Sequence, residues 1–139
     1  KPTPMTTEDI FSGKKVVLFA VPGAFTPTCS MAHLPGFVVN ADTIIAKGVD
    51  TIACVSVNDA FVMDAWGKDK NAEALLMLGD GNGDFTQALG LTMDGSGFGL
   101  GQRSQRYAMI VEDGVVTKLA VEEPGKLEVS AAEAVLESL

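Results

Sequence analysis

The sequence predicts an α/β fold, a central mixed sheet flanked by helices. Three observations predict it. Short apolar runs of strand-forming residues recur at 16–19, 51–57 and 75–78, and each is followed by a helical stretch. Such alternation builds parallel strands. Later, residues 107–111 and 115–120 flank Asp113-Gly114, the pattern of a tight antiparallel hairpin. The chain has 139 residues, one ordinary domain with enough length for a core.

In order, Thr6 caps a short helix through Glu8-Asp9-Ile10-Phe11 that ends at Gly13. Residues 16–19 (VVLF) form a buried strand between Lys14-Lys15 and a Pro22-Gly23 turn. Residues 28–47 read as helix up to Gly48, but Pro35-Gly36 interrupts them and predicts a kink or a break into two helices. Residues 51–57 (TIACVSV) are continuously apolar, as in a central parallel strand. A helix over 59–68, a strand over 75–78, a turn over 80–83 and a short helix over 84–89 follow. Residues 90–101 are a glycine-rich connection. After the hairpin, Ser130 is expected to cap a last helix, with Glu133 at the capping-box position. The order βα, βα, βα, ββα is the thioredoxin-like arrangement, with no repeat, linker or second domain.

Composition narrows the function. The net charge of −8 argues against nucleic acid and anionic membranes as partners. No apolar run approaches the length of a bilayer span. Two cysteines do not make a disulfide scaffold, and cysteines used this sparingly suit a reducing, intracellular setting. Two cysteines and one histidine, widely separated, also fall short of a zinc set. The Asp80-Gly-Asn-Gly-Asp84 run lacks the closing glutamate of a calcium loop. Gly95, Gly97, Gly99 and Gly101 do not open a helix as a phosphate cradle does. Met63 and Trp66 read as packing residues.

The chemistry concentrates in residues 22–30, PGAFTPTCS. Cys29 follows a strand and a Pro-Gly turn and enters a helix. Unpaired N–H groups and the helix dipole there favour thiolate over thiol. Thr26 offers a hydroxyl toward the sulfur or toward a bound oxygen, or else caps the helix at Cys29 or Ser30. Pro22 and Pro27 stiffen the approach and remove two donors. His33 lies four residues beyond Cys29, across one turn from it, as a structural histidine or an acid–base group. On the residues alone this is a reactive cysteine at a strand-to-helix junction.

Pro22-x-x-x-Thr26-x-x-Cys29 resembles the peroxiredoxin active-site pattern. Together with His33-Leu-Pro-Gly-Phe37 and Ser56-Val-Asn-Asp-Ala-Phe-Val62, it resembles the type II peroxiredoxins (the peroxiredoxin-five subfamily), plant-type members above all, over residues 13–139. The resemblance implies one thioredoxin-like domain over residues 1–139, without the strand pair that family members carry before this point. It implies a thiol peroxidase acting on hydrogen peroxide and small alkyl hydroperoxides through a sulfenic acid on Cys29, with no cofactor. Thr26 and Pro22 then belong to the catalytic motif, Arg106 is the active-site arginine, and Arg103 and His33 support it. Glutaredoxin, glutathione or thioredoxin is the implied reductant. A homodimer through the face bearing Phe25 and residues 95–101 is expected, in the cytoplasm, a mitochondrion or a plastid. A non-enzymatic redox sensor using the same cysteine is the alternative.

Cys54 has two readings. Where mammalian-type members resolve the sulfenic acid with a C-terminal cysteine, residues 127–130 read LEVS. Plant-type members have only the pair matching Cys29 and Cys54. Yet Cys54 sits mid-run in a strand that reads as buried on both faces. A disulfide needs Cα atoms within about 7 Å, so the Cys29 helix would have to unwind. Cys54 is either a core cysteine, with an external thiol resolving the sulfenic acid, or the resolving partner.

Overall fold

A computed structural model describes residues 2–139. The elements run α1 (Thr7–Phe11), β1 (Lys15–Ala20), a π-helical turn (Cys29–His33) continuing into α2 (Leu34–Ala46), β2 (Thr51–Ser56), α3 (Ala60–Asp69), β3 (Leu76–Gly79) and α4 (Asp84–Leu89). Then come β4 (Thr92–Asp94), a 3₁₀ turn (Ser96–Phe98), β5 (Gln102–Ser104), β6 (Tyr107–Glu112), β7 (Val115–Val121) and α5 (Ala132–Glu137). The main sheet has the order β3-β2-β1-β6-β7, parallel among its first three strands and antiparallel at β6 and β7. The expected mixed sheet is therefore present.

β1 lies at the centre of the sheet. Alternation sends Val17 and Phe19 to one face, packed with Cys29, Leu34, Phe37, Cys54 and Trp66. Val16, Leu18 and Ala20 face the other side, against Ile10, Phe11, Val55, Tyr107 and Met109. A strand buried on both faces needs the unbroken apolar run seen in the sequence. In the ladder Ala20 pairs with Tyr107. The end of β1 and the start of β6 thus meet, which brings the loop after β1 beside Arg106.

Several expected local features hold. Thr6 Oγ1 accepts from Asp9 N–H at 3.1 Å and the Asp9 carboxylate accepts from Thr6 N–H at 2.9 Å, a complete capping box. Asp113 (φ 48°) and Gly114 (φ 79°) make the left-handed pair that a tight hairpin requires.

Others are corrected. Pro35-Gly36 does not break the helix. Pro35 lies in the first turn of α2, and the irregularity falls one turn earlier, at the π turn. Proline has no N–H for an i−4 bond and crowds that carbonyl. The chain widens instead, and Leu34 N–H reaches back to the Cys29 carbonyl. Ser130 does not cap α5. Ala131 is the residue before the helix and makes no side-chain cap. Ser130 is buried, with its hydroxyl held by Glu122 at 2.7 Å. Residues 90–101 are more ordered than a connection, since β4 pairs with β5 across them.

Candidate active site

The loop after β1 is folded tightly before it reaches Cys29. Thr26 Oγ1–H donates to the Gly23 carbonyl at 2.7 Å, and Ala24 N–H donates to Asn58 Oδ1 at 3.0 Å. Between them Phe25 is held at φ 64°, a left-handed conformation that a bulky residue adopts only when its surroundings enforce it. Gly23 leaves room for this packing. A Cβ there would lie 2.9 Å from both Arg103 Nη1 and Thr26 Cγ2. Thr26 makes no cap bond to the helix through Oγ1; its hydroxyl donates to the Gly23 carbonyl. Its carbonyl instead accepts from Ser30 N–H at 2.9 Å.

Cys29 opens the π turn and is fully buried. Arg106, at the entry to β6, reaches it. Nη2–H donates to Cys29 Sγ at 3.1 Å, while Nη1–H donates to His33 Nδ1 at 2.8 Å. Among the described residues no carboxylate lies within ion-pair distance of Arg106. Its charge is directed at a thiol and an imidazole.

His33 is 1 % exposed and sits beside the stacked rings of Phe19 and Phe37, 5.0 Å from the first and 5.6 Å from the second. Burial, and then the Arg106 charge, push its pKa down to about 4. The ring is therefore neutral near pH 7. Nδ1 accepts from Arg106, so the proton is on Nε2, which donates to the Ser130 carbonyl at 2.9 Å.

Arg103 does not touch the sulfur. Nε–H donates to the Leu100 carbonyl at 2.9 Å and Nη1–H to the Pro22 carbonyl at 3.3 Å, which braces the turn above Cys29. The structure thus gathers Cys29, His33 and Arg106 directly, and joins Pro22 and Thr26 to them through the folded loop.

Cys54 stands apart. It pairs with Phe19 and Met77 across the sheet and is fully buried. Burial, and then the proximity of Cys29, push its thiol pKa well up, so Cys54 is a protonated core thiol in this state.

Sequence reasoning missed three supporting residues. Asn58 accepts from Ala24 N–H and, at 2.6 Å, from Ser56 Oγ–H. Trp66 packs as expected, but its indole N–H also donates to Ser30 Oγ at 2.8 Å, beside Cys29. Glu122 holds Ser130, whose carbonyl receives His33. The SVNDAFV run contains Asn58 and was the one available signal for it. Nothing local marks Glu122.

The chain also compares with known proteins. Residues 1–136 match the Redoxin family. Over 136 residues the chain is 48% identical to Peroxiredoxin-2D of Arabidopsis thaliana, covering 97% of this chain and 84% of that protein. The chain belongs to the peroxiredoxins. Chloroplastic Peroxiredoxin-2E of the same plant is 52% identical over 97% of this peroxiredoxin and 59% of its own length. A crystal structure of reduced Prx3 from Vibrio vulnificus in complex with H2O2 superposes with a TM-score of 0.90 at 67% identity, covering 93% of this chain and 81% of that one. The expected plant-type kinship and thioredoxin-like fold both hold. This peroxiredoxin spans 59% to 62% of the length of the first three curated relatives. No described helix is long and apolar enough to cross a membrane.

Proposed function

We propose that this peroxiredoxin is a thiol-dependent peroxidase for hydrogen peroxide and small alkyl hydroperoxides. The observation that carries the reading is the Arg106 Nη2–H donating to Cys29 Sγ at 3.1 Å, with the sulfur fully buried. A cation fixed beside the sulfur is placed to stabilise charge on a reacting oxygen. The thiolate attacks one peroxide oxygen. An S–O bond forms, the O–O bond breaks, and its electron pair leaves on the distal oxygen, which takes up a proton as water or alcohol. Cys29 becomes a sulfenic acid. Thr26 Oγ1, its own proton donated to Gly23, is available to accept the peroxide O–H. Pro22 offers no N–H to compete. The burial of Cys29 favours small substrates.

A reductant thiol then condenses with the sulfenic acid, releasing water and forming a mixed disulfide; a second thiol equivalent displaces Cys29 as thiol, and the reductant leaves oxidised to a disulfide. We assign this step to an external thiol such as glutathione, glutaredoxin or thioredoxin, because Cys54 is buried mid-sheet. We further propose a homodimer through the active-site face, where Phe25 and Phe98 are exposed by 52% and 89%. Its setting is an intracellular, reducing compartment, cytoplasmic or organellar. The unit 1–139 acts as one catalytic domain.

The test is peroxide consumption followed with each reductant in turn, with Cys29→Ser as control. Sustained turnover that Cys29→Ser abolishes is expected. A single stoichiometric oxidation with no reductant able to drive a second cycle would identify a redox sensor instead. Sedimentation showing a monomer at micromolar concentration would refute the dimer.

A further inference from the structure

Four residues close a ring of hydrogen bonds behind Cys29. Arg106 Nη1–H donates to His33 Nδ1 at 2.8 Å, and His33 Nε2–H donates to the Ser130 carbonyl at 2.9 Å. Ser130 N–H and Oγ–H both donate to Glu122 Oε2, at 2.8 and 2.7 Å. Glu122 N–H donates to the Arg106 carbonyl at 2.9 Å, which completes the circuit. Glu122 touches neither Cys29 nor the guanidinium. Its main chain nevertheless fixes the Arg106 backbone, and its carboxylate fixes the carbonyl that orients His33.

We propose that Glu122 is a positioning residue for the peroxide reaction, acting through Ser130 and His33 to hold Arg106 on Cys29. The proposal rests on the peroxidase reading above.

The strap hangs on a single acceptor oxygen. One oxygen, Oε2, receives Ser130 N–H, Ser130 Oγ–H and also Glu128 N–H at 2.6 Å. A carboxylate accepts several such bonds at once, and bonds to an ionised acceptor are the strong ones. Glu122 is 7% exposed. Burial alone would raise its pKa, but the Ser130 and Glu128 hydrogen bonds outweigh that and hold it below the ordinary glutamate range. The segment between β7 and α5 is thereby tied down as a strap, with the Ser130 carbonyl aimed at His33.

That aim decides the tautomer. With the carbonyl in place, the imidazole proton is on Nε2 and Nδ1 is bare for Arg106. Without it the proton is free to move to Nδ1. Two donors would then face each other, and the guanidinium would have to turn from His33, taking Nη2 with it. The charged groups that face His33 are Arg106 at the entry to β6 and Glu122 from the strap, and Cys29 shares Arg106 with it.

The experiment uses the fact that His33 is the only histidine. Long-range ¹H–¹⁵N spectra report its tautomer without ambiguity. They are recorded beside single-turnover rates with H2O2 for the wild type, Glu122→Gln, Glu122→Ala and Glu122→Asp. The wild type is expected to show the Nε2–H tautomer. Glu122→Gln keeps an acceptor oxygen and should keep both that tautomer and the rate within a few-fold. Glu122→Ala should show mixed tautomers and react roughly ten- to a hundredfold slower, the scale of a small misplacement of a catalytic group.

A folded Glu122→Ala protein that keeps the Nε2–H tautomer overturns the proposal, even if its rate falls, because a merely structural role would do the same. If Glu122→Ala does not fold, Glu122→Asp decides. Its retracted carboxylate should also mix the tautomers and slow the reaction, and an unchanged spectrum overturns the proposal. A wild type inert toward peroxide would refute the peroxidase reading, while the tautomers in the variants would still decide the strap.

Discussion

Arg106 Nη1 stands 2.8 Å from His33 Nδ1, a contact that only an unprotonated nitrogen can make. Protonating His33 would place a second cation against the guanidinium in a buried site. This is why Arg106, after burial, contributes to the lowered pKa of about 4. An unfolded histidine titrates near 6.5. As pH falls, the unfolded chain takes up this proton first, so the fold loses stability between pH 6.5 and about 4. Above pH 6.5 the contribution is fully present. The loss is of order 3 kcal/mol for this one group. A ¹H NMR titration should find His33 neutral at pH 5. A midpoint near 6.5 would show that the ring is neither buried nor paired as described.

Arg106 should be hard to replace. Arg106→Ala is expected to slow the reaction with H2O2 by about 10²–10³, the usual effect of removing one donor aimed at developing charge. Arg106→Lys should recover little of it. An ammonium is a point charge and lacks the planar fork that meets Sγ and Nδ1 together. Stopped-flow rates against pH would check both variants, and a lysine variant with full activity would show that charge alone suffices.

Cys54 should be silent in the native state. Burial holds it as a thiol, and thiols are poor nucleophiles. A brief alkylation pulse at neutral pH, read by mass spectrometry, should modify Cys29 far ahead of Cys54. Cys54→Ser should keep most of its turnover with glutathione or glutaredoxin. A Cys29–Cys54 disulfide after one equivalent of peroxide, with Cys54→Ser stalled on every reductant, would give Cys54 the resolving role.

Trp66→Phe tests the floor of the site. The smaller ring leaves a cavity, and Ser30 Oγ loses its indole donor. Thermal melts should show a loss of at least about 1 kcal/mol, the net worth of one such bond, with the cavity adding to it. Fluorescence would vanish with the only tryptophan, so circular dichroism is the suitable probe. A variant as stable as the wild type would mean that Ser30 and Trp66 are not bonded in solution.

The fold was legible where one periodicity ran unopposed. Residues 16–19 and 51–57 could be read as buried strands because both faces of the central sheet demand apolar side chains. The Asp113-Gly114 hairpin followed from turn chemistry alone. Cys29, Thr26 and Pro22 were visible because the motif is contiguous, and the register Ala20–Tyr107 explains why Arg106 joins them. What stayed hidden depends on the third dimension. Glu122 reaches the site through contacts with Ser130 and, across the sheet, Arg106, which no local pattern encodes. Ser130-x-x-Glu133 looked like a capping box, yet a buried carboxylate offered Ser130 a stronger partner than the helix end. Pro35-Gly36 looked like a break because the sequence does not show that a widened turn can absorb the missing N–H.

The outer strand β7 carries a different consequence. It borders the described sheet, and Val115, Val116 and Leu119 are all substantially exposed. Its run VVTKLAV contains one charge, Lys118. An unpaired margin of β-branched residues is a template for another extended chain, and a lone lysine is the gatekeeper that discourages such growth. The register between β6 and β7 also shifts at Ile110 and Val111, opposite this stretch, and such irregularities blunt an edge further. Neutralising Lys118 would leave the sulfur untouched while weakening the margin's resistance to templating.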